Sequence, residues 1–180
     1  MRIYVTALMW LAFNLTSFCQ QLKGQRSLEI SIAKIDGLKS TDNLGFNIEL
    51  NRGKFIGNRL IRQWGISYLR KDYAVLKQNL PVETMTIHFA MGRILFQQKG
   101  IAGLVTLGGV GGYQLINRGK SILDDSAYQL TNQNRLIVGG KAQVSLIVAS
   151  TISVFTKTLW FPTSDVQKFH FALGASIFFF

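Results

Sequence analysis

The sequence reads as all-β: an eight-stranded antiparallel transmembrane β-barrel of the small outer-membrane type. Three observations predict it. Beyond the N-terminus the chain breaks into runs of alternating apolar and polar residues separated by turn signals. Such runs suit strands with lipid on one side and a lumen on the other. The last run ends on bare aromatics, Phe178-Phe179-Phe180, which a water-exposed strand has little reason to carry. No later segment is an unbroken apolar stretch of the about 20 residues that a membrane helix needs.

The first run, Ser27 to Ile35, sets Leu28, Ile30 and Ile32 against Glu29, Ser31 and Ala33. Asp36-Gly37 opens a connection to Asn43. The second aligns Leu44, Phe46, Ile48 and Leu50 opposite Asn47, Glu49 and Asn51, and Arg52-Gly53-Lys54 begins a turn ending near Gly57-Asn58. The third, Arg59 to Arg70, aligns Trp64, Ile66 and Tyr68, with Arg62 and Ser67 placed off that face. A polar connection over 71–79 follows. In the fourth, Leu80 to Leu95, Met85, Ile87, Phe89 and Met91 alternate with Thr84, Thr86, His88 and Ala90. Gln97 to Gly100 makes a short turn. The fifth, Ile101 to Leu115, carries Gly103, Gly108, Gly109, Gly111 and Gly112. Glycines suit a wall that bends sharply or a narrow lumen that must admit bulky neighbours. Asn117 to Asn134 is the longest polar connection. The sixth, Arg135 to Ile147, sets Ala142, Val144 and Leu146 against Lys141, Gln143 and Ser145. Ala149 to Thr151 is a tight turn, the seventh run is Ile152 to Trp160, and Pro162 to Val166 leads to the last, Gln167 to Phe180.

An even number of strands lets both termini lie on the same side of the barrel. The odd connections (36–43, 71–79, 117–134, 162–166) include the two longest, and the even ones (51–58, 96–100, 148–151) are shorter on the whole. Outer-membrane barrels alternate long outside loops with short periplasmic turns in this way. Hydrocarbon offers no hydrogen bonds to a free sheet edge, so the last run must pair with the first. In that last run Phe171, Leu173, Ala175, Ile177 and Phe179 form one face, with His170, Ala172, Gly174 and Ser176 on the other. Gly174, Ile177, Phe179 and Phe180 resemble in spacing the C-terminal signal read by barrel-assembly machinery.

The N-terminus carries Arg2 and a mostly apolar stretch from Ile3 to Phe13, followed by polar Asn14, Thr16 and Ser17. This reads as a secretory signal peptide over 1–20, with cleavage after Cys19 or Gln20 and a barrel over 21–180. Phe18 argues against Cys19 as a lipidated residue, because a small residue is usual there. Cys19 is the one cysteine, so a processed chain of about 160 residues would have no disulfide or thiolate chemistry. The formal charge is +11, but the cations are scattered singly at turns and alternate strand positions. That pattern fits a solvated lumen and rim, or contact with outer-membrane lipid and lipopolysaccharide, better than a nucleic-acid stripe.

Eight strands leave an interior wide enough only for side chains, so a general diffusion pore is disfavoured. Glu29, Glu49, Arg62, Lys141 and Lys157 are the lumen candidates for mutual pairing, since an unpaired buried charge is costly. His88 and His170 could share a polar network with Ser176 or Thr86, but no nucleophile–base–orienter pattern joins them. Asp124-Asp125 lacks the oxygen-rich surroundings of a cation loop. Gly-Gly-Val-Gly-Gly lacks the helix and lysine of a phosphate loop. No catalytic residue, metal or cofactor is therefore expected. Trp64, Tyr68, Tyr73, Tyr113, Tyr128, Trp160 and Phe161 suit interfacial girdles.

The order of segments resembles the TraO family of conjugative transposon proteins from Bacteroidetes. The resemblance runs through Gly111-Gly112-Tyr113, Asn117-Arg118-Gly119, Asp124-Asp125, Val138-Gly139-Gly140, Leu159-Trp160 and Phe169-His170-Phe171-Ala172-Leu173-Gly174. Earlier echoes are Ile35-Asp36-Gly37, Tyr68-Leu69-Arg70-Lys71-Asp72-Tyr73 and Leu80-Pro81-Val82. Family members often carry a cysteine and a Pro-Gly segment soon after cleavage, which this chain lacks. The resemblance implies an outer-membrane part of a DNA-transfer apparatus with a structural or interaction role. Its partners would be other conjugation proteins, while the scattered charge disfavours direct contact with DNA. The rival readings are a generic small barrel for adhesion or envelope integrity and a lipid-modifying barrel enzyme.

Overall fold

The computed structural model describes residues 24–36, 45–75, 78–98, 100–117, 133–148 and 151–179. Eight strands form: β1 (Arg26–Ile35), β2 (Gly45–Phe55), β3 (Leu60–Val75), β4 (Gln78–Gln98), β5 (Ile101–Ile116), β6 (Gln133–Val148), β7 (Ile152–Trp160) and β8 (Phe169–Phe179). Each pairs antiparallel with the next. β8 returns to β1 in the register Leu28↔Phe179 through Ile35↔Ala172, so the barrel closes and no ladder edge is left to lipid along those residues.

The sequence alternation becomes an inside and an outside. Leu28, Ile30 and Ile32 are exposed, the last at 60%, while Glu29 and Ser31 between them are buried. The same holds in β8, where Phe171, Leu173, Ile177 and Phe179 face outward and His170, Ala172 and Ser176 face inward. The apolar surface is on the outside, as a lipid solvent requires.

Arg62 does not join the lumen. It shares its parity with Trp64 and Ile66, and in a strand of period two it must share their outward face. Two connections also differ from expectation. β2 continues through Arg52-Gly53-Lys54 to Phe55, so the turn to β3 is confined to 56–59. Residues 71–75 and 78–79, expected in a loop, extend β3 and β4 as a paired ladder ending at Val75↔Gln78. Their polarity marks strand lying beyond the hydrocarbon, where alternation no longer needs apolar residues. β4 is 21 residues long, about twice the 9–11 that cross a membrane. β3, β5 and β6 are 16 residues each, so β3–β6 extend beyond the shorter β1, β2, β7 and β8. The expected segments 1–20, 37–43, the Asp124-Asp125 loop and Phe180 lie outside the described residues.

The ladder is interrupted once between β4 and β5, where the register shifts between Ile94 and Phe96. The bulge turns both Leu95 and Phe96 outward, and the Phe96 ring covers the position a Gly103 Cβ would occupy.

The lumen is filled in layers. At the end where the termini lie, Phe55, Ile61, Ile94, Leu104, Ile147 and Phe178 form an apolar plug. A polar belt follows. Above it lies a second apolar layer built around Ile35, Leu69, Ile137, Phe155, Leu159 and Phe161.

Candidate functional site

The polar belt holds four formally charged side chains. Glu49 on β2 accepts from two lysines, Lys141 Nζ at 2.7 Å and Lys157 Nζ at 2.6 Å. Lys157 also donates to Asn47 Oδ1. Glu29 on β1 accepts from Asn51 Nδ2 at 3.2 Å. Two carboxylates thus face two ammonium groups, and their side chains are essentially without solvent. The strand pattern dictates this meeting: all four sit at inward parity on β1, β2, β6 and β7, which the narrow closed barrel brings face to face. Glu29 Oε1 finds no hydrogen-bond partner among the described residues.

His88 extends the belt. Its Nε2 lies 2.6 Å from Asn51 Oδ1. A carboxylate can only accept, so Asn51 must turn its amide NH₂ to Glu29, which leaves its oxygen to accept from His88. Gly65 makes room: a Cβ there would strike Asn51 Oδ1 and the Leu50 carbonyl.

The two histidines are not brought into a common network. His88 bonds within the belt, whereas His170 lies 3.2 Å from Asp36 Oδ2. Ser176 instead bonds Ser153, and Thr86 bonds Ser67. Of the expected girdle aromatics, Trp64, Tyr113 and Trp160 face outward. Phe161 turns into the lumen and packs edge-on to His170 with ring centroids 5.9 Å apart. Tyr73 donates to Gln167, and Tyr128 lies outside the described residues.

A second cluster, not anticipated from the sequence, closes the loop end. Asp36 follows β1 with φ 49°, a left-handed conformation that Asp tolerates. Its Oδ2 receives Lys71 Nζ at 2.8 Å and Gln167 Nε2 at 2.9 Å, and its Oδ1 accepts the Phe171 N–H at 2.7 Å. Gln167 Oε1 accepts from Lys71 and Tyr73. Burial alone would raise the Asp36 carboxyl, but the bonds from His170, Lys71 and Phe171 outweigh it and hold it well below the usual carboxylate range. Residues 161–168 fold into the mouth: Ser164 Oγ donates to Gln114 Oε1, and Phe161 is buried. The signal was there in part, because closure of β8 on β1 places Asp36 beside His170. Lys71 joins the cluster because the stretch expected as a loop is paired strand, with Lys71 opposite Val82.

On the outer wall, Gly111 and Gly112 leave a shallow apolar groove of about 760 Å³ bounded by Ile66, Tyr68, Met85 and Tyr113. Gly109 and Gly111 project into open space, whereas a Cβ at Gly108 or Gly112 would strike the backbone of β4. At Gly108 and Gly112 the two strands therefore lie too close to admit a Cβ.

An apolar exterior, a closed eight-strand ladder and a filled interior define a small outer-membrane barrel. Two solved structures share the fold. Neisserial surface protein A is 13% identical, with 85% of this chain and 94% of that chain covered at a TM-score of 0.57. The outer membrane protein OprG from Pseudomonas aeruginosa is 9% identical, with 89% and 98% covered at 0.52. Residues 22–180 match the family described as conjugative transposon protein TraO, and the chain belongs to that family. No curated protein matches it by sequence.

Proposed function

We propose that the protein is a non-catalytic outer-membrane component of a conjugative DNA-transfer apparatus of Bacteroidetes, acting by contact with other proteins of that apparatus. The observation that carries this reading is the family match over nearly the whole chain. The filled lumen supports a contact role over a conduit, because apolar layers lie on both sides of the ion belt. The extended β3–β6 wall at the loop end offers surface for such contact.

The remaining expectations fit the same reading. Residues 1–20 would direct export and be removed. Gly174, Ile177, Phe179 and Phe180 would present the chain to the barrel-assembly machinery. The end carrying the termini would then face the periplasm and the loop end the outside, in contact with lipopolysaccharide.

An in-frame deletion in a donor cell carrying the element tests the function. Transfer frequency is expected to fall by orders of magnitude and return on complementation, with the lipid A mass profile unchanged. Normal transfer from the deletion strain would refute conjugation, and an altered lipid A profile would favour an enzyme.

A further inference from the structure

The cations of this barrel are unevenly placed. On the outward face near the termini, β1–β4 and the β2–β3 turn carry Arg26, Arg52, Lys54, Arg59, Arg62 and Arg93, all exposed. Arg26 pairs with Lys54, and Lys54 with Arg62, as direct cross-strand neighbours. Like charges so placed repel one another. No carboxylate bonds any of the six among the described residues, whose carboxylates lie in the lumen (Glu29, Glu49) or toward the loop end (Asp36, Asp72, Glu83, Asp165). The other half of the wall differs. The outward positions of β6–β8 nearest the termini are Val144, Leu146, Ile152, Val154, Ile177 and Phe179, with no charge.

From this juxtaposition we infer that the terminal rim of β1–β4 is a binding site for anionic phospholipid headgroups of the adjoining leaflet. The depth fits a lipid. Leu28 lies beside Arg52 across β1–β2, the Leu50–Ile66 pair comes next toward the loop end, and Trp64, a residue typical of the membrane interface, lies beneath the Arg52 guanidinium at 6.0 Å. Acyl chains would lie against the apolar rows while each phosphate bridges cations that otherwise repel. Because the outward cations among the described residues lie on one half of this rim, bound lipid would gather on one side of the barrel. This inference rests on the membrane reading alone and is independent of conjugation.

Spin-labelled phosphatidylglycerol and phosphatidylcholine competing for the full-length barrel in bilayers test it, with heat-modifiable gel mobility as a separate check of insertion. The folded wild type should prefer phosphatidylglycerol, and the preference should shrink in high salt. Each cation at such a surface is worth about fivefold. Lys54→Gln with Arg62→Gln should therefore lower the preference roughly 25-fold or abolish it, while Lys34→Gln at the opposite end leaves it unchanged. The charge-conserving pair Lys54→Arg and Arg62→Lys should retain it. Equal binding of the two lipids by an inserted wild-type barrel would overturn the proposal. So would a preference that survives the double substitution, or binding of an acidic peptide with no lipid preference. Failure of the wild type to insert would instead sink the membrane reading, and this inference with it.

Discussion

Removing Glu49 tests whether the lumen is held by charge balance. In the native belt Glu29 and Glu49 face Lys141 and Lys157, and Glu49 alone bridges both lysines at 2.6–2.7 Å. Glu49→Gln leaves two ammonium groups with one carboxylate. Lys157→Met leaves two carboxylates with one ammonium group. Each single change strands a buried charge, which costs about 3–5 kcal/mol. The double variant removes one charge of each sign, so the formal charge of the belt is again what it was in the wild type. Its loss should fall short of the sum of the singles by about 2–3 kcal/mol. The assay is reversible urea unfolding in phospholipid bilayers, followed by fluorescence of the outward-facing Trp64 and Trp160, which leave lipid on unfolding. Single variants within about 1 kcal/mol of wild type, with an additive double, would refute the charge-balance argument, because such values match exposed pairs.

Two other outcomes follow from the same geometry. Asp36 is depressed in the folded barrel, so its contribution is complete above the unfolded value of about 4 and is lost as pH falls below that. Acid unfolding should steepen there in the wild type, and Asp36→Asn should be less stable at neutral pH with a flatter acid limb; equal slopes would remove any stabilising role for the Asp36 cluster. Gly174→Val should block closure, because a Cβ at that position runs into the Ile32 carbonyl and Ala33 across the β1–β8 seam, whereas Gly109→Ala meets nothing within 4 Å and should insert normally. Removal of Ile177 to Phe180 should likewise block assembly; heat-shifted gel mobility reads all three, and normal insertion of the truncated chain would count against the terminal signal.

The architecture was legible because lipid enforces a period of two. Every strand existed where alternation placed it, and Glu29, Glu49, Lys141 and Lys157 could be assigned to the lumen by parity alone. Arg62 is legible too, because its register with Trp64 fixes its outward face whatever its charge. The ends of strands were less visible. Once β3 and β4 leave hydrocarbon, Lys71-Asp72-Tyr73 has loop-like composition while remaining a paired ladder. The Asp36 cluster was hidden for another reason. Asp36, Lys71 and Gln167 are separated by 35 and 96 residues, and only the β1–β8 seam and the inward fold of 161–168 bring them together.

The distribution of polar groups argues for where this barrel works. Residues that a conduit would need are spent on one another: Glu49 is saturated by two lysines, Asn51 is shared between Glu29 and His88, and apolar layers lie on either side. Opening a path would mean separating buried charges from their partners at several kcal/mol each. The chain also carries surface features that spanning alone does not require. β4 is about twice the needed length, and among the described residues the outward cations gather at one half of the terminal rim. A barrel whose lumen is filled in this way, with a wall longer than spanning requires, has its unspent chemistry on the outer surface rather than in a channel.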